Sequence, residues 1–106
     1  NDMTLRSAFR LKMKELEAYE QANTYLNYQS ALKSLEDFGG STIPLENITI
    51  DWLKRCEKFW ISEGKSYSSI SIYFRALKCV LNRAVHDHLF LLERINMKFL
   101  KGVDVN

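Results

Sequence analysis

Glycine and proline are scarce in this sequence, with four Gly and one Pro among 106 residues. A fold of many short strands needs those residues in its turns, so their scarcity argues against an all-β protein. The hydrophobic fraction of 46% and the aromatic fraction of 12% indicate a packed globule and exclude a disordered chain. The length corresponds to one domain. We therefore predict an all-α fold.

Long apolar runs and paired cysteines are also absent. The longest apolar run, Leu89–Leu92, is too short to cross a bilayer, so no membrane partner is expected. The chain shows no signal-peptide pattern and begins with Asn-Asp, which suggests a fragment of a longer protein. Cys56 and Cys79 lie outside any C-x-x-C pair. We expect two buried free thiols in a reducing cytoplasm, with a disulfide as the minor alternative.

Motifs of catalysis and metal binding are missing as well. The sequence contains no glycine-rich phosphate loop, no H-E-x-x-H and no G-x-S-x-G, which are the usual signatures of such sites. His86 and His88 stand two residues apart, on different sides of a helix, so a shared metal is disfavoured. We expect no metal, no other cofactor and no assembled active site. A small enzyme is therefore the disfavoured alternative.

Apolar residues recur at intervals of three and four, which predicts a four-helix bundle. The alternating serines and isoleucines after Lys65 could instead form a strand, but no glycine or proline separates them from the plainly helical residues that follow. We therefore interpret them as the first turns of the fourth helix. The predicted helices cover approximately Thr4–Tyr19, Thr24–Phe38, Ile50–Ser62 and Ser66 or Ser68–Asp87.

Glycines mark two of the predicted helix ends. Gly39-Gly40 follows the second helix, and Gly64 follows the third. Tyr19 is expected on the apolar face of the first helix, and the connector 41–49 is expected to bury its apolar residues under the bundle. We assign residues 1–92 to a helical domain and residues 93–106 to the start of a linker.

Charge is distributed unevenly, although the net charge is only +2. Residues 64–86 contain four cations and no acid, and residues 1–14 are also basic. Residues 15–51, in contrast, contain seven acids and one lysine. Such polarised charge can steer an anionic partner even when the total is near zero.

The fourth helix carries a polar stripe opposite its apolar one. Its members, at about 100° per residue, include two cations and no acid. Lysine and arginine neutralise DNA phosphates, and serine and asparagine donate hydrogen bonds to them. The free N–H groups at the helix start also attract anions, and Arg75 and Asn82 can reach base edges. The stripe consists of Ser68, Ser71, Arg75, Lys78, Asn82 and His86.

Double-stranded DNA is therefore the predicted partner, although an ordinary solvated helix face is the simpler alternative. A helical protein-interaction domain that uses exposed aromatics such as Trp52 or Trp60 is a second alternative. The predicted DNA-binding residues are Lys65, Ser66, Ser69, Arg75, Lys78 and Asn82, with Lys12 and Lys14 as secondary contacts.

Three runs of the sequence resemble the SAM-like core-binding domain of tyrosine recombinases, the phage-integrase family, over about residues 4 to 99. They are TYLNYQSALKSLEDF, ITIDWLKRCEKFW and EGKSYSSISIYFRALKCVLNRAVHDHLF. The most specific stretch is Gly64–Ala84, where a glycine and a serine-rich cap precede a helix. Matches in that helix are Tyr73, Arg75, Leu77, Asn82 and Ala84, and those in the second helix are Thr24, Tyr28, Leu32 and Phe38.

The resemblance implies a SAM-like, lambda-integrase-like N-terminal domain that forms one half of a C-shaped clamp around DNA. It implies that the second and fourth helices face the recombination core site, and that other integrase protomers join in a synaptic complex. In this family a tyrosine in a separate C-terminal domain performs the chemistry, and the sequence lacks that domain. Asn96-Met97-Lys98-Phe99 stands where the family usually has Asn-Pro-Phe.

Overall fold

The structure, a computed structural model, describes residues 3–84, and the side chains of residues 3–82. It contains four α-helices and, within those residues, no strand, which confirms the predicted all-α four-helix class. A single 3-10 turn at Leu45–Asn47 lies in the connector between the second and third helices. The helices are α1 (Leu5–Ala18), α2 (Ala22–Gly39), α3 (Ile50–Ser62) and α4 (Tyr67–Ala84).

Helix α1 begins and ends with defined caps. Thr4 Oγ1 accepts from the Ser7 backbone N–H at 3.2 Å, and Ser7 Oγ accepts from the Thr4 N–H at 3.1 Å, which forms a reciprocal capping box. At the other end, Gln21 N–H donates to Leu16 O and Glu20 N–H to Glu17 O. This is a Schellman motif, in which the residue after the C-cap is left-handed and usually glycine. Here that residue is Glu20, with φ of 57°.

Thr49 caps α3, and Ser66, one of the two serines predicted to begin the fourth helix, caps α4. Thr49 Oγ1 accepts from Trp52 N–H at 3.1 Å, and Ser66 Oγ accepts from Ser69 N–H at 3.1 Å. Gly64, with φ of 83°, supplies the left-handed residue between the two helices. The helical interpretation of the serine- and isoleucine-rich stretch is therefore confirmed.

The connector crosses the start of α1 and closes one side of the core. Leu5 N–H donates to Ile43 O at 2.8 Å, and the connector's Ile43, Leu45 and Ile48 are all buried. Gly39 lies so close to this segment that an added Cβ would stand 2.8 Å from Ile43 Cδ1. The sequence prediction that these apolar residues tuck under the bundle is confirmed.

Trp60 lies at the centre of the core and is fully buried. Its indole N–H donates to Ser34 O of α2 at 3.0 Å. Its ring also lies 5.0 Å from the Tyr73 ring and 5.1 Å from the Phe74 ring, both on α4. One side chain of α3 therefore contacts both α2 and α4, and truncating such a buried tryptophan typically costs about 3–5 kcal/mol.

Two expectations about side-chain exposure are wrong, and one alternative loses the surface that it needs. Tyr19 is 76% exposed, because it caps α1 after the last helical turn and no longer follows the apolar face. Cys79 is exposed, whereas Cys56 is buried as expected. Trp52 and Trp60 are 8% and 0% exposed, so neither can form the exposed aromatic surface that the protein-interaction alternative requires.

Burial shifts two titrating groups of the core. The pKa of the Cys56 thiol is raised, mainly by burial and further by the nearby Glu57 charge. The pKa of Tyr28 is raised by burial and then by a hydrogen bond with Cys79. Both groups therefore stay neutral in the folded state over a wider alkaline range than in the unfolded chain. Within the described part, no helix is sufficiently long and apolar to cross a membrane.

Replacing Glu20 by glycine should stabilise the domain by about 0.5–1 kcal/mol. The left-handed backbone costs an L-residue roughly 1–2 kcal/mol, and the greater freedom of glycine in the unfolded chain offsets part of the gain. Urea unfolding monitored by circular dichroism measures the change. The matched control is Glu17→Gly inside α1, which should destabilise by about 1 kcal/mol. Equal losses in both variants would contradict the assignment.

Stability should fall as the pH rises above about 8.5, the ordinary pKa of a cysteine thiol. The buried Cys56 keeps its proton while the unfolded thiol loses it, so its contribution is complete below that pH and declines by up to about 1.4 kcal/mol per pH unit above it. Urea titrations between pH 7 and the onset of tyrosine ionisation measure the slope. Cys56→Ala should lower stability at neutral pH and flatten this slope. Parallel pH curves for both proteins would contradict the role of Cys56.

Candidate nucleic-acid interface

The predicted polar stripe lies on the outer side of α4. Ser68, Arg75 and Asn82 are exposed, and Ser71 and Lys78 are half-buried beside them. The opposite side of α4 is buried and fills the core with Ile70, Tyr73, Phe74, Leu77, Val80 and Leu81. We call Ser68, Ser71, Arg75, Lys78 and Asn82 the α4 polar face. His86, the sixth predicted member, lies outside the described residues.

The start of α4 adds a cation and two hydroxyl groups to this region. The Lys65 ammonium lies 5.8 Å from the centre of the Tyr73 ring, a cation–π distance that orients the side chain while it stays exposed. Ser66 Oγ donates to Ser69 Oγ at 3.1 Å, in addition to its role as the cap. Ser66 thus has a structural role, and Ser69 retains a hydroxyl proton for an external acceptor.

Lys12 and Lys14 do not lie together. They are two residues apart on α1, so their side chains point in nearly opposite directions. Lys12 is half-buried, with its Nζ 3.8 Å from Glu15 Oε1. Lys14 is exposed and lines an open groove whose described lining comes from α1 and α2 alone. The structure therefore separates the two secondary candidates from each other.

Helix α2 packs directly beside α4. Tyr28 of α2 is buried, and its interaction with Cys79 of α4 contributes to the raised pKa of Tyr28. Cys79 lies one turn after Arg75 on the exposed side of α4. Asn27 and Ser30 of α2 are exposed, and Lys33 Nζ pairs with Asp37 Oδ2 at 3.1 Å. The sequence analysis missed Cys79 as a member of this surface, although its position four residues after Arg75 could have indicated it.

Ion pairs neutralise much of the acidic stretch 15–51. Four of its seven acids pair with cations: Glu15 with Lys12, Glu36 with Arg6, Asp37 with Lys33 and Asp51 with Arg55. The Arg6–Glu36 pair is bidentate, with N–O distances of 2.9 and 2.7 Å. Arg75, in contrast, has no ion-pair partner between residues 3 and 84. Arg75 therefore adds an exposed positive charge to the surface of α4 that no acid between residues 3 and 84 neutralises through an ion pair.

A metal centre is the other kind of site to consider among the described residues. No group of three or more histidine, cysteine or acidic side chains between residues 3 and 84 is placed to bind a metal. The two cysteines are both free thiols. His86 and His88 lie outside the described residues. The α4 polar face is thus the candidate site that the structure and the sequence share.

The family of the chain follows from comparison with known proteins. The model of the phage integrase SAM-like domain matches residues 4–99, which include all four helices. Neither the curated proteins nor the solved structures contain a match to this chain. The family match covers the large majority of the sequence and agrees with the four-helix fold described above. The chain belongs to the phage integrase SAM-like domain family.

Proposed function

We propose that this domain is the DNA-binding core-binding domain of a site-specific tyrosine recombinase, and that it clamps the recombination core site during DNA integration and excision. The observation that carries the proposal is the α4 polar face. It combines the exposed Arg75, the half-buried Lys78 and hydrogen-bond donors on a helix that has no acid from Tyr67 to Ala84. Family membership supports the same conclusion.

Charge and rigidity both favour a polyanionic partner at this face. Arg75 has an exposed guanidinium without an ion pair among the described residues, so contact with a phosphate displaces no internal partner. The opposite side of α4 is anchored by buried side chains, so the polar face has little freedom to reorganise on binding. A pre-organised basic surface gains affinity chiefly through the release of counterions from DNA.

The proposed contacts divide into two kinds. Lys65, Ser69 and Lys78 are suited to phosphates, since an ammonium or hydroxyl group needs no exact base geometry. Arg75 and Asn82 are two turns apart on one side of α4 and have the side chains that most often read guanine and adenine in the major groove. Ser66 serves mainly as the cap that holds this end in place. Lys12 and Lys14 remain predictions of secondary contacts.

The fragment is proposed to be catalytically inert on its own. The parent protein would supply the catalytic tyrosine from another domain, and other protomers would join in the synaptic complex. A nicking assay on supercoiled DNA with this chain should give no product, and covalent protein–DNA adducts would contradict the proposal. An Arg…His-x-x-Arg…Tyr set in the parent reading frame would support it.

Reversing two charges on α4 tests the DNA contact. The double variant Arg75→Glu, Lys78→Glu should lose about 100-fold or more in affinity for a short duplex, because two cations are lost and two repulsive charges are added. For the unaltered chain, with roughly four to six phosphates engaged, log K should fall with log salt at a slope of about −4 to −5. The variant's slope should be about two units flatter. Fluorescence anisotropy over a salt series measures both quantities.

The matched control reverses Lys54 and Lys58, two exposed cations of α3. It changes net charge by the same amount and should affect DNA affinity far less. Equal losses in the two double variants would show that net charge, and not the α4 polar face, determines binding. A flat salt response of the unaltered chain would also contradict the proposal.

The exposed thiol of Cys79 provides an independent footprint of the interface. Bound DNA should slow alkylation of Cys79 by N-ethylmaleimide at least tenfold, since Cys79 lies beside Arg75 and Asn82 on the exposed side of α4. Cys56 is buried and should react slowly with and without DNA, which makes it an internal control for folding. Mass spectrometry of timed samples measures both sites. Equal Cys79 rates with and without saturating DNA would place the interface elsewhere.

A further inference from the structure

A groove between α1 and α2 is not explained by the proposed DNA contact. It has a volume of about 690 Å³ and opens to solvent, and its described lining contains no residue of α4. A second depression of about 380 Å³ continues it toward Ser41 and shares Arg10, Gln29 and Leu32. Together they form one continuous groove along the two helices. We call it the α1–α2 groove.

The wall of the groove exposes apolar surface. Leu11 is 54% exposed, and Tyr25 and Leu32 are only half-buried beside it. Leu11 lies away from the core side of α1, whose buried residues are Leu5, Ala8, Phe9, Met13 and Leu16. Apolar side chains that line a groove between two helices are typical of surfaces that receive an amphipathic helix.

The charges of the groove separate into paired and unpaired groups. At the Ser41 end, Arg6 pairs with Glu36 and Lys33 with Asp37, so these four charges cancel. Arg10 and Lys14 are exposed and have no ion-pair partner within the described residues. They stand one helical turn apart on α1, about 6 Å between their Cβ atoms. Glu17 is the remaining acid of the lining.

We propose that the α1–α2 groove binds an amphipathic helix of an acidic partner protein. The partner's apolar side chains would pack on Leu11, Tyr25 and Leu32, and two carboxylates one turn apart would pair with Arg10 and Lys14. The apolar wall favours a protein partner over DNA, since the outer surface of duplex DNA is a charged phosphate backbone and offers no row of apolar side chains to pack on the wall. The groove lining contains no residue of the α4 polar face. Lys14 is the one lining residue that is also a predicted secondary DNA contact, so a bound partner helix would take Lys14 from DNA and leave the α4 contacts in place.

Two synthetic peptides test the chemistry of this partner against the full chain. One is a helical peptide with leucine at every third or fourth position and glutamate pairs one turn apart, and the other replaces each glutamate by lysine. The glutamate peptide should bind about tenfold or more tightly, since it gains two ion pairs where the lysine peptide meets repulsion. Anisotropy measures the affinities, and NMR chemical shifts of the labelled chain locate the contact at Leu11, Tyr25 and Leu32.

Variants of the groove assign the effect to named residues. In the double variant Arg10→Glu, Lys14→Glu, the domain should bind the lysine peptide more tightly than the glutamate peptide. Leu11→Asp should lower the affinity for the glutamate peptide at least tenfold. The double variant Arg10→Lys, Lys14→Arg conserves both charges and should still bind the glutamate peptide more tightly. This control distinguishes an effect of charge from an effect of altered folding. Lys54→Glu with Lys58→Glu should leave both peptide affinities unchanged, since neither lysine lines the groove.

Arg75→Glu with Lys78→Glu should lose affinity for DNA and keep its affinity for the glutamate peptide. The groove proposal and the DNA proposal can therefore fail independently.

Several outcomes would overturn the groove proposal. Equal affinities for both peptides would contradict it, and so would the absence of binding by either peptide. Changes in NMR chemical shift on the α4 polar face would also contradict it. Loss of DNA affinity in Arg10→Glu, Lys14→Glu as large as in the α4 variant would assign the groove to DNA. If Leu11→Asp instead alters the NMR signals of residues 85–106, or dissociates a dimer, the occupant is the chain itself.

Discussion

The arrangement of the bundle depends on the burial of Trp60. Its indole N–H donates to the Ser34 carbonyl of α2, and its ring packs against Tyr73 and Phe74 of α4. The donor needs a partner because an unpaired buried N–H is costly, and a backbone carbonyl inside a helix is a rigid acceptor. This one side chain therefore contacts α2 and α4 together and, with the other buried side chains of α4, fixes the rotation of α4 about its axis. Because Tyr73 and Phe74 must face Trp60, Arg75 and Asn82 must face solvent.

The charge pattern of the folded domain differs from that of the linear sequence. Along the chain, residues 15–51 are acidic and would weaken DNA contact by α2. In the fold, four of those seven acids pair with cations, one of them by a bidentate contact between α1 and α2. Pairing neutralises both acids of α2, Glu36 and Asp37, without changing the net charge. The acidic composition of α2 is thus compatible with a basic interface on its neighbour.

The two candidate surfaces use cations in different settings. On α4 the cations stand among serine, asparagine and a thiol, a combination that suits a hydrated phosphate backbone. On α1, Arg10 and Lys14 flank an exposed leucine beside a groove, a combination that suits an amphipathic helix. Lys12 and Lys14 show that the cations of one basic segment need not belong to one surface. Residues two positions apart on a helix point to nearly opposite sides.

The sequence by itself determined the four helices and most of their starts, although α2 begins at Ala22, two residues before the predicted Thr24. Thr4, Thr49 and Ser66 cap them through hydrogen bonds to residues three positions away, and Gly64 ends α3 through its own backbone freedom. These interactions are local, so spacing and residue type suffice to predict them. The tertiary structure alone decided the exposure of Tyr19 and Cys79, the pairing of Arg6 with Glu36 and the groove between α1 and α2. Each of these depends on how helices distant in the chain pack together, and one helical period does not encode that packing.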